Sequence, residues 1–397
     1  MRPLLLSAFT ATSCLGRGLT PTLAALRAER SGLAPCAFET VRLDTCVGEV
    51  AGVDDTVLPA GLDAFECRNN RLAWLGLSQD GMAEAVAQAA RRYGPERLGV
   101  FLGTSTSGIL ESEIGYRQRD PVSGALPADF RYAGAHNTFS VAAFALRALQ
   151  LAGPAVVISS ACSSSGKAFA SAQRAIAAGV IDAALVGGVD SLCLTTLYGF
   201  HSLQLVSAAP CRPFDLTRNG ISIGEAAAFA LLERAPEAPA EDAVLLLGYG
   251  ESSDAYHMSS PHPQGRGARE AMQKALAAAR LAPAAIDYIN FHGTGTQSND
   301  ESEAYAVAAA LGSRVPGSST KGATGHTLGA AGALEAVICA LALRGQFLPA
   351  GVNTTEVDPA LEVNYQLRSR AAPLRHVMSN SFGFGGSNCS LIFGRPA

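Results

Sequence analysis

Short apolar runs rich in β-branched residues alternate along this chain with longer stretches in which apolar positions recur every three or four residues. Leu98–Gly103, Pro154–Ala161, Ala183–Gly188 and Ala243–Gly250 are short, almost wholly apolar and bounded by glycine or proline, so each reads as a strand buried on both faces. A helical pattern opens at Ser163-Ser164-Ser165-Gly166-Lys167, reaches Ala178 and stops at Gly179, and a second runs from Ala333 to Leu343. The amino-terminal run through Leu4-Leu5-Leu6 is too soon interrupted by Ser and Thr for a secretory leader, so a first core strand with a turn at Gly16-Arg17-Gly18 is expected. Alternating strands and helices predict an α/β fold. The polar, proline-containing residues 234–242 divide the chain into halves, 1–242 and 243–397, and being short they predict a connecting turn within one globule. Gly329-Ala330-Ala331-Gly332 leading into the second helix faintly echoes Ser164-Ser165-Gly166-Lys167 leading into the first.

Cys162 stands where the predicted strand 154–161 runs into the first of those helices. A thiol there meets unpaired backbone N–H groups and the positive end of a helix dipole, which are both expected to favour the thiolate. Two distant histidines occupy similar addresses: His292 in Phe291-His292-Gly293-Thr294-Gly295-Thr296, and His326 in Ala323-Thr324-Gly325-His326-Thr327-Leu328-Gly329. Flanking glycines let backbone and ligand approach closely, and the carboxyl ends of strands are where α/β sheets place ligands.

With these motifs, and with Cys211-Arg212-Pro213-Phe214-Asp215, Ser253-Asp254-Ala255-Tyr256-His257-Met258, Lys321 and Asn380-Ser381-Phe382-Gly383-Phe384-Gly385-Gly386-Ser387-Asn388, nearly the whole chain resembles the β-ketoacyl-acyl carrier protein synthases, the elongating condensing enzymes. The resemblance implies a thiolase-like, five-layer αβαβα fold of two duplicated halves. It implies that Cys162 carries an acyl group, that His292 and His326 polarise a malonyl thioester as it loses carbon dioxide, and that the N–H groups of Cys162 and Phe384 hold the oxyanion. Lys321 with Glu335 is expected beside the histidines. Asp300 and Glu303 are expected to support the loop carrying His292, although carboxylates at a helix start have an ordinary explanation too. Phe384 resembles a gating residue in a glycine-rich loop, and Phe200 a wall of the acyl pocket. Arg68 and Arg71, three apart, would share a helix face where the family docks its carrier protein, with Arg117 and Arg119 the next choice.

The same resemblance implies acyl carrier protein as partner, no cofactor or metal of the enzyme's own, and a homodimer or a heterodimer with a chain-length-factor-like subunit. His326 speaks against a thiolase or a priming synthase, and Cys162 against a non-catalytic chain-length partner; a largely scaffolding subunit is the remaining alternative. Asn219, the Glu225-Ala226-Ala227 segment, Ser7-Ala8-Phe9-Thr10 and the short stretch Gln204–Cys211 depart from the family pattern, the last at the entrance of the acyl channel.

Composition narrows this further. With 48% hydrophobic residues, 41 glycines and 16% charged residues in 397, a heavily buried protein with a large partner interface is expected. A net charge of −4 with no basic stripe speaks against nucleic acid. Nine scattered cysteines without a C-x-x-C pair suit neither zinc nor a disulfide framework and fit a reducing cytoplasm. No apolar run is expected to span a membrane.

Overall fold

The computed structural model describes residues 1–396. Five strands of the first half, β1 (Leu4–Ser13), β2 (Leu98–Gly103), β3 (Ala155–Ile158), β4 (Ala183–Asp190) and β5 (Ala226–Arg234), lie in the order β1-β5-β4-β2-β3. Six of the second half, β6 (Leu245–Ser253), β7 (Tyr288–Asn290), β8 (Pro316–Ser318), β9 (Asn364–Tyr365), β10 (His376–Gly383) and β11 (Ser387–Gly394), continue as β6-β11-β10-β7-β8-β9. The two sheets are joined where Leu4 and Leu5 of β1 pair with Leu246 and Leu245 of β6, with Leu6 N–H donating to the Val244 carbonyl just beside them. The predicted strands are present within a few residues, but the run 154–161 is a partly exposed edge strand and not one buried on both faces, because it ends the sheet. The run beginning at Ala243 enters the sheet at Leu245 and continues to Ser253, and the one beginning at Ala183 continues to Asp190.

Helices complete five layers. On the outer face of the first sheet lie α1 (Arg68–Leu77), α2 (Met82–Tyr93) and, after α3 (Ile109–Arg117), α4 (Ser140–Ala148), enclosing one apolar core. Between the sheets lie α5 (Ser164–Ala177) and, after α6 (Leu194–Ser202), α7 (Arg266–Ala279) and α8 (Gln297–Leu311), the long helix α9 (Ala331–Gly345). Helices α7 and α8 themselves cover the outer face of the second sheet around a third core.

Helix α9 corrects one expectation. Leu328–Gly345 is long and apolar enough to cross a membrane by length and composition, but 89% of it is buried in the protein. A helix sandwiched between two sheets needs no polar face, so its sequence is apolar all round. Its first turn also explains how the halves of the site meet. A Cβ on Gly332 would stand 2.7 Å from the backbone nitrogen of Gly166. Glycine at 332 therefore lets α5 and α9 touch backbone to backbone, which draws together the turns that precede them, one carrying Cys162 and the other His326.

Candidate active site

Cys162 sits in the elbow between β3 and α5, two residues before the helix proper. Ala161 holds a left-handed φ of 51°, an unfavourable conformation for a residue with a Cβ, and this sharp turn is what aims the sulfur out of the sheet. The backbone N–H groups of Cys162 itself and of Phe384 face the sulfur. They are placed to hold an oxyanion formed on an acyl group at that atom.

The expected thiolate is not the resting state. Burial pushes the Cys162 thiol up to about 11, with the Lys321 charge and the Phe384 N–H pulling the other way. The dipole of α5 and its free N–H groups are real, yet a wholly enclosed anion loses more hydration than they return.

His326 places Nε2 3.0 Å from Cys162 Sγ, and its ring lies 5.2 Å from that of His292 at 83°. Burial, reinforced by the Lys321 charge, holds both imidazoles well below the usual histidine range, so both are neutral. Lys321 Nζ reaches the carbonyl oxygen of His292 at 2.5 Å and its Nδ1 at 3.4 Å, and pairs with Glu335. Burial pushes the Glu335 carboxyl up to about 7, with Lys321 opposing.

The loop bearing His292 hangs from two buried carboxylates on α8. Glu303 accepts the N–H groups of His292 (2.8 Å) and Gly293 (2.7 Å), and Asp300 accepts those of Thr294 (3.0 Å) and Gly295 (3.3 Å). Glu303 also meets Asn380 Nδ2 at 3.1 Å, and burial lifts its carboxyl to about 7. The Phe384 ring stands 5.5 Å from that of Phe200 on α6, and together they close a cavity of about 60 Å³ that reaches Cys162, His292 and His326. That space holds a few waters and no extended acyl chain, so a wall must move for one to enter. Gly385 and Gly386 behind Phe384 hold left-handed φ values of 79° and 73°, conformations that glycine adopts without the cost a Cβ would add.

Arg68 does not fit its expected role. The helix forms and the two arginines lie a turn apart, but Arg68 is 2% exposed and its guanidinium is spent on Glu225 and Asp54. Arg71 is 21% exposed and pairs with Glu66. Spacing shows which residues share a face and says nothing of what covers that face. Arg117 is partly exposed and bound to Glu39.

Three contributors escaped the sequence reading. Asp190, at the end of β4, accepts hydrogen bonds from Thr104 Oγ1 and the amides of Ser105 and Thr106 (2.8 Å each), and from the Gly329 amide just beyond His326. Thr294 and Thr296 line the cavity beside His292; their place in the His-Gly-Thr-Gly-Thr motif was the available signal. Cys162, His292 and His326 each bring one possible ligand atom within 4.8 Å of the other two, and Asn290 Oδ1, Glu335 Oε2 and Ser379 Oγ are each buried without a hydrogen-bond partner among the described residues.

Comparison with known proteins agrees with this geometry. The family descriptions "Beta-ketoacyl synthase, N-terminal domain" and "Beta-ketoacyl synthase, C-terminal domain" match residues 61–238 and 243–355. The 3-oxoacyl-[acyl-carrier-protein] synthase 2 of Mycobacterium tuberculosis is 39% identical over 249 residues, 59% of this chain and 60% of the relative, so the match spans under two thirds of that protein's length. Among solved structures, a ketosynthase (ApeO) in complex with its chain length factor (ApeC) from Xenorhabdus doucetiae superposes with a TM-score of 0.89 at 39% identity, covering 100% of this chain and 98% of the other. The ishigamide ketosynthase/chain length factor gives 0.91 at 28% identity, with full coverage of both chains.

Proposed function

The chain belongs to the β-ketoacyl synthase family, and from that premise we propose that it joins an acyl group held on Cys162 to a two-carbon unit from malonyl-acyl carrier protein, releasing carbon dioxide and 3-oxoacyl-acyl carrier protein. In loading, the Cys162 sulfur attacks the acyl thioester, its proton leaves with the carrier's thiol, and one thioester replaces another. The malonyl thioester then loses its carboxylate as carbon dioxide. The electron pair of the broken C–C bond delocalises onto the thioester oxygen, where Nε2–H groups of the neutral His292 and His326 donate. The enolate carbon attacks the acyl carbonyl on Cys162, the N–H groups of Cys162 and Phe384 hold the oxyanion, and collapse breaks the C–S bond, the departing Cys162 thiolate taking up one proton from solvent to restore the thiol.

The observation that carries this reading is the perpendicular pair of neutral imidazoles, one of them 3.0 Å from the sulfur. Imidazolium ions would bind malonate's carboxylate and hold it, whereas neutral donors favour its departure. The test exposes the protein first to acyl carrier protein charged with an acyl group and then to malonyl carrier protein. An adduct on Cys162, followed by carbon dioxide and 3-oxoacyl product in equal amounts, is expected; absence of the adduct overturns the reading.

No cofactor of the enzyme's own enters these steps, since the phosphopantetheine arm belongs to the carrier. For the second subunit, β3 is the edge of its sheet, with Val156 36% exposed, and Tyr132 and Phe139 are exposed large hydrophobic side chains nearby in sequence. A protein of the same fold would extend that sheet edge to edge. The similarity to two ketosynthases solved with chain length factors favours a heterodimer, and with it polyene or polyketide assembly over housekeeping fatty acid synthesis. Light scattering on the chain alone decides: a stable homodimer with full condensing activity removes the need for a second kind of subunit.

A further inference from the structure

Cys162 is followed by three consecutive serines, Ser163, Ser164 and Ser165, and the condensation steps use none of their hydroxyls. All three are fully buried. Serine at the start of a helix ordinarily caps it, accepting a free backbone N–H of the first turn. Ser163 stands at the N-cap position of α5 and makes no such bond. The hydroxyls of Ser163 and Ser164 turn back onto the elbow instead. Ser164 Oγ accepts the Ser160 N–H at 2.9 Å and donates to the Ala161 carbonyl at 2.6 Å, and Ser163 Oγ donates to the Ser160 carbonyl at 2.9 Å. Ser165 Oγ accepts the Ala333 N–H at 2.9 Å, which ties α5 to the first turn of α9.

We propose that Ser164, with Ser163 beside it, is a positioning residue that clamps the elbow and so keeps the Cys162 sulfur in register with the N–H groups of Cys162 and Phe384. The proposal rests on the condensation reading. Ala161 keeps a left-handed φ of 51°, a conformation that a residue with a Cβ holds only when its surroundings impose it. The two backbone groups that Ser164 Oγ engages lie on opposite sides of the Ala161 Cα, so one hydroxyl fixes that rotation. The Ser160 carbonyl is also where the other half of the site arrives. A Cβ on Gly383 would stand 2.9 Å from the Ser160 oxygen and 3.2 Å from the Cys162 nitrogen, so the chain just before Phe384 lies directly against the elbow. Moving the Ser160 carbonyl therefore moves the Phe384 N–H relative to the sulfur. Removing the Ser164 hydroxyl leaves the 3.2 Å bond from the Ser164 N–H to the Ala161 carbonyl, so the helix start survives while the grip on Ser160 is lost.

The test compares the unaltered protein with Ser164→Ala, folding being checked by circular dichroism. The kcat for 3-oxoacyl product is expected to fall about 10-fold or more with the KM for malonyl carrier protein unchanged, since a misplaced nucleophile slows chemistry and not binding. Alkylation of Cys162 by iodoacetamide near about pH 8 is expected to slow severalfold, because N–H groups that favour the thiolate no longer face the sulfur. Ala161→Gly serves as the suppressor. Glycine takes a φ of 51° without strain, so adding it to Ser164→Ala should recover about threefold or more of the lost kcat, while adding it to the unaltered protein gains nothing. Unchanged kcat and alkylation in Ser164→Ala, or the same effect of Ala161→Gly in both backgrounds, overturns the proposal. Should Ser164→Ala fold poorly, Ser163→Ala, which frees only the Ser160 carbonyl, carries the same comparison with the same outcomes. An unaltered protein that takes no acyl adduct overturns the condensation reading instead, and the alkylation rates then decide the clamp by themselves.

Discussion

Lys321 Nζ stands 2.5 Å from the backbone carbonyl of His292 and 3.4 Å from the Nδ1 of the same residue, while Glu335 on α9 takes the ammonium from the other side. One buried charge thus fixes the His292 ring, adds to the burial that keeps both imidazoles neutral, and draws the Cys162 thiol down from the value burial alone would set.

Lys321→Ala is therefore expected to slow alkylation of Cys162 at any pH below the thiol's titration, and to destabilise the fold by about 3–5 kcal/mol by leaving Glu335 buried and alone. Pairing Lys321→Met with Glu335→Leu restores most of the stability and not the condensation rate. Urea unfolding beside carbon dioxide release separates the two effects; full activity in the double variant rules out a positioning role.

The thiol itself gives a pH test. With Cys162 pushed up to about 11, its reaction with iodoacetamide should quicken about tenfold per pH unit between roughly pH 7 and 10, following the thiolate fraction. A plateau reached below pH 8 means the cysteine is ionised at rest. Cys162→Ala should also leave no acyl adduct by intact mass.

Replacing His292 or His326 with Ala should leave appreciable acylation of Cys162 and lower carbon dioxide release by roughly 10²-fold or more, the cost of one oxyanion donor. Both rings are held below the usual range, so they stay neutral until pH falls well under about 6.5, and an acid limb between roughly pH 6 and 7 is expected from Glu303 and Glu335, both pushed up to about 7, and not from the imidazoles. For the two histidines the sign for stability follows: the unfolded chain takes up protons first, so stability is lost as pH falls through about 6.5 and below. A rate halving near pH 6.5 that persists in both Glu303→Gln and Glu335→Gln, with folding intact, contradicts the neutral pair.

Much of this was legible because local signals coincided with long-range ones. Cys162 announced itself by a strand meeting a helix, and each histidine by the glycines beside it, which is chemistry visible over ten residues. Lys321 and Glu335 were placed beside the pair by resemblance alone, since they stand fourteen residues apart on different elements and no spacing rule links them. Asp190 ends an apolar strand like many a solvated carboxylate, and only the meeting of residues 104–106 with Gly329 turns it into a brace. The thiolate was misjudged because a helix dipole is read from neighbours in sequence, whereas burial is set by the whole fold.

Phe384 and Phe200 should act together. Phe384→Ala opens the 60 Å³ cavity and loosens the loop whose N–H faces Cys162, so longer acyl groups should load faster while condensation slows. Phe200→Ala enlarges the cavity without touching that N–H, so it should change chain-length preference and spare the condensation step. Equal kinetics for short and long acyl chains in both variants would mean that the two rings are only packed side by side.

Arg68 offers the sharpest contrast between a surface and a buried reading of the same residue. Its Nε and Nη2 meet both oxygens of Glu225 at 3.0 and 2.7 Å, Nη1 meets Asp54 at 2.8 Å, and the guanidinium lies 5.0 Å from the Phe38 ring. Glu225 in turn accepts the amides of Val50 and Leu192 at 2.9 Å, so the pair ties the loop before α1 to the turn that leads into α6 and its Phe200. Arg68→Ala should cost about 3–5 kcal/mol, the penalty for stranding a buried partner, and high salt should not mimic it, since an enclosed pair is screened little. Arg68→Lys should recover only part, because an ammonium cannot span both Glu225 oxygens and Asp54 in one plane. A carrier-docking arginine would behave in the opposite way, with normal unfolding and a raised, salt-sensitive KM for carrier-bound substrates. Urea unfolding and carrier kinetics on the same two variants decide between them, and unchanged stability with a raised KM would return Arg68 to the surface.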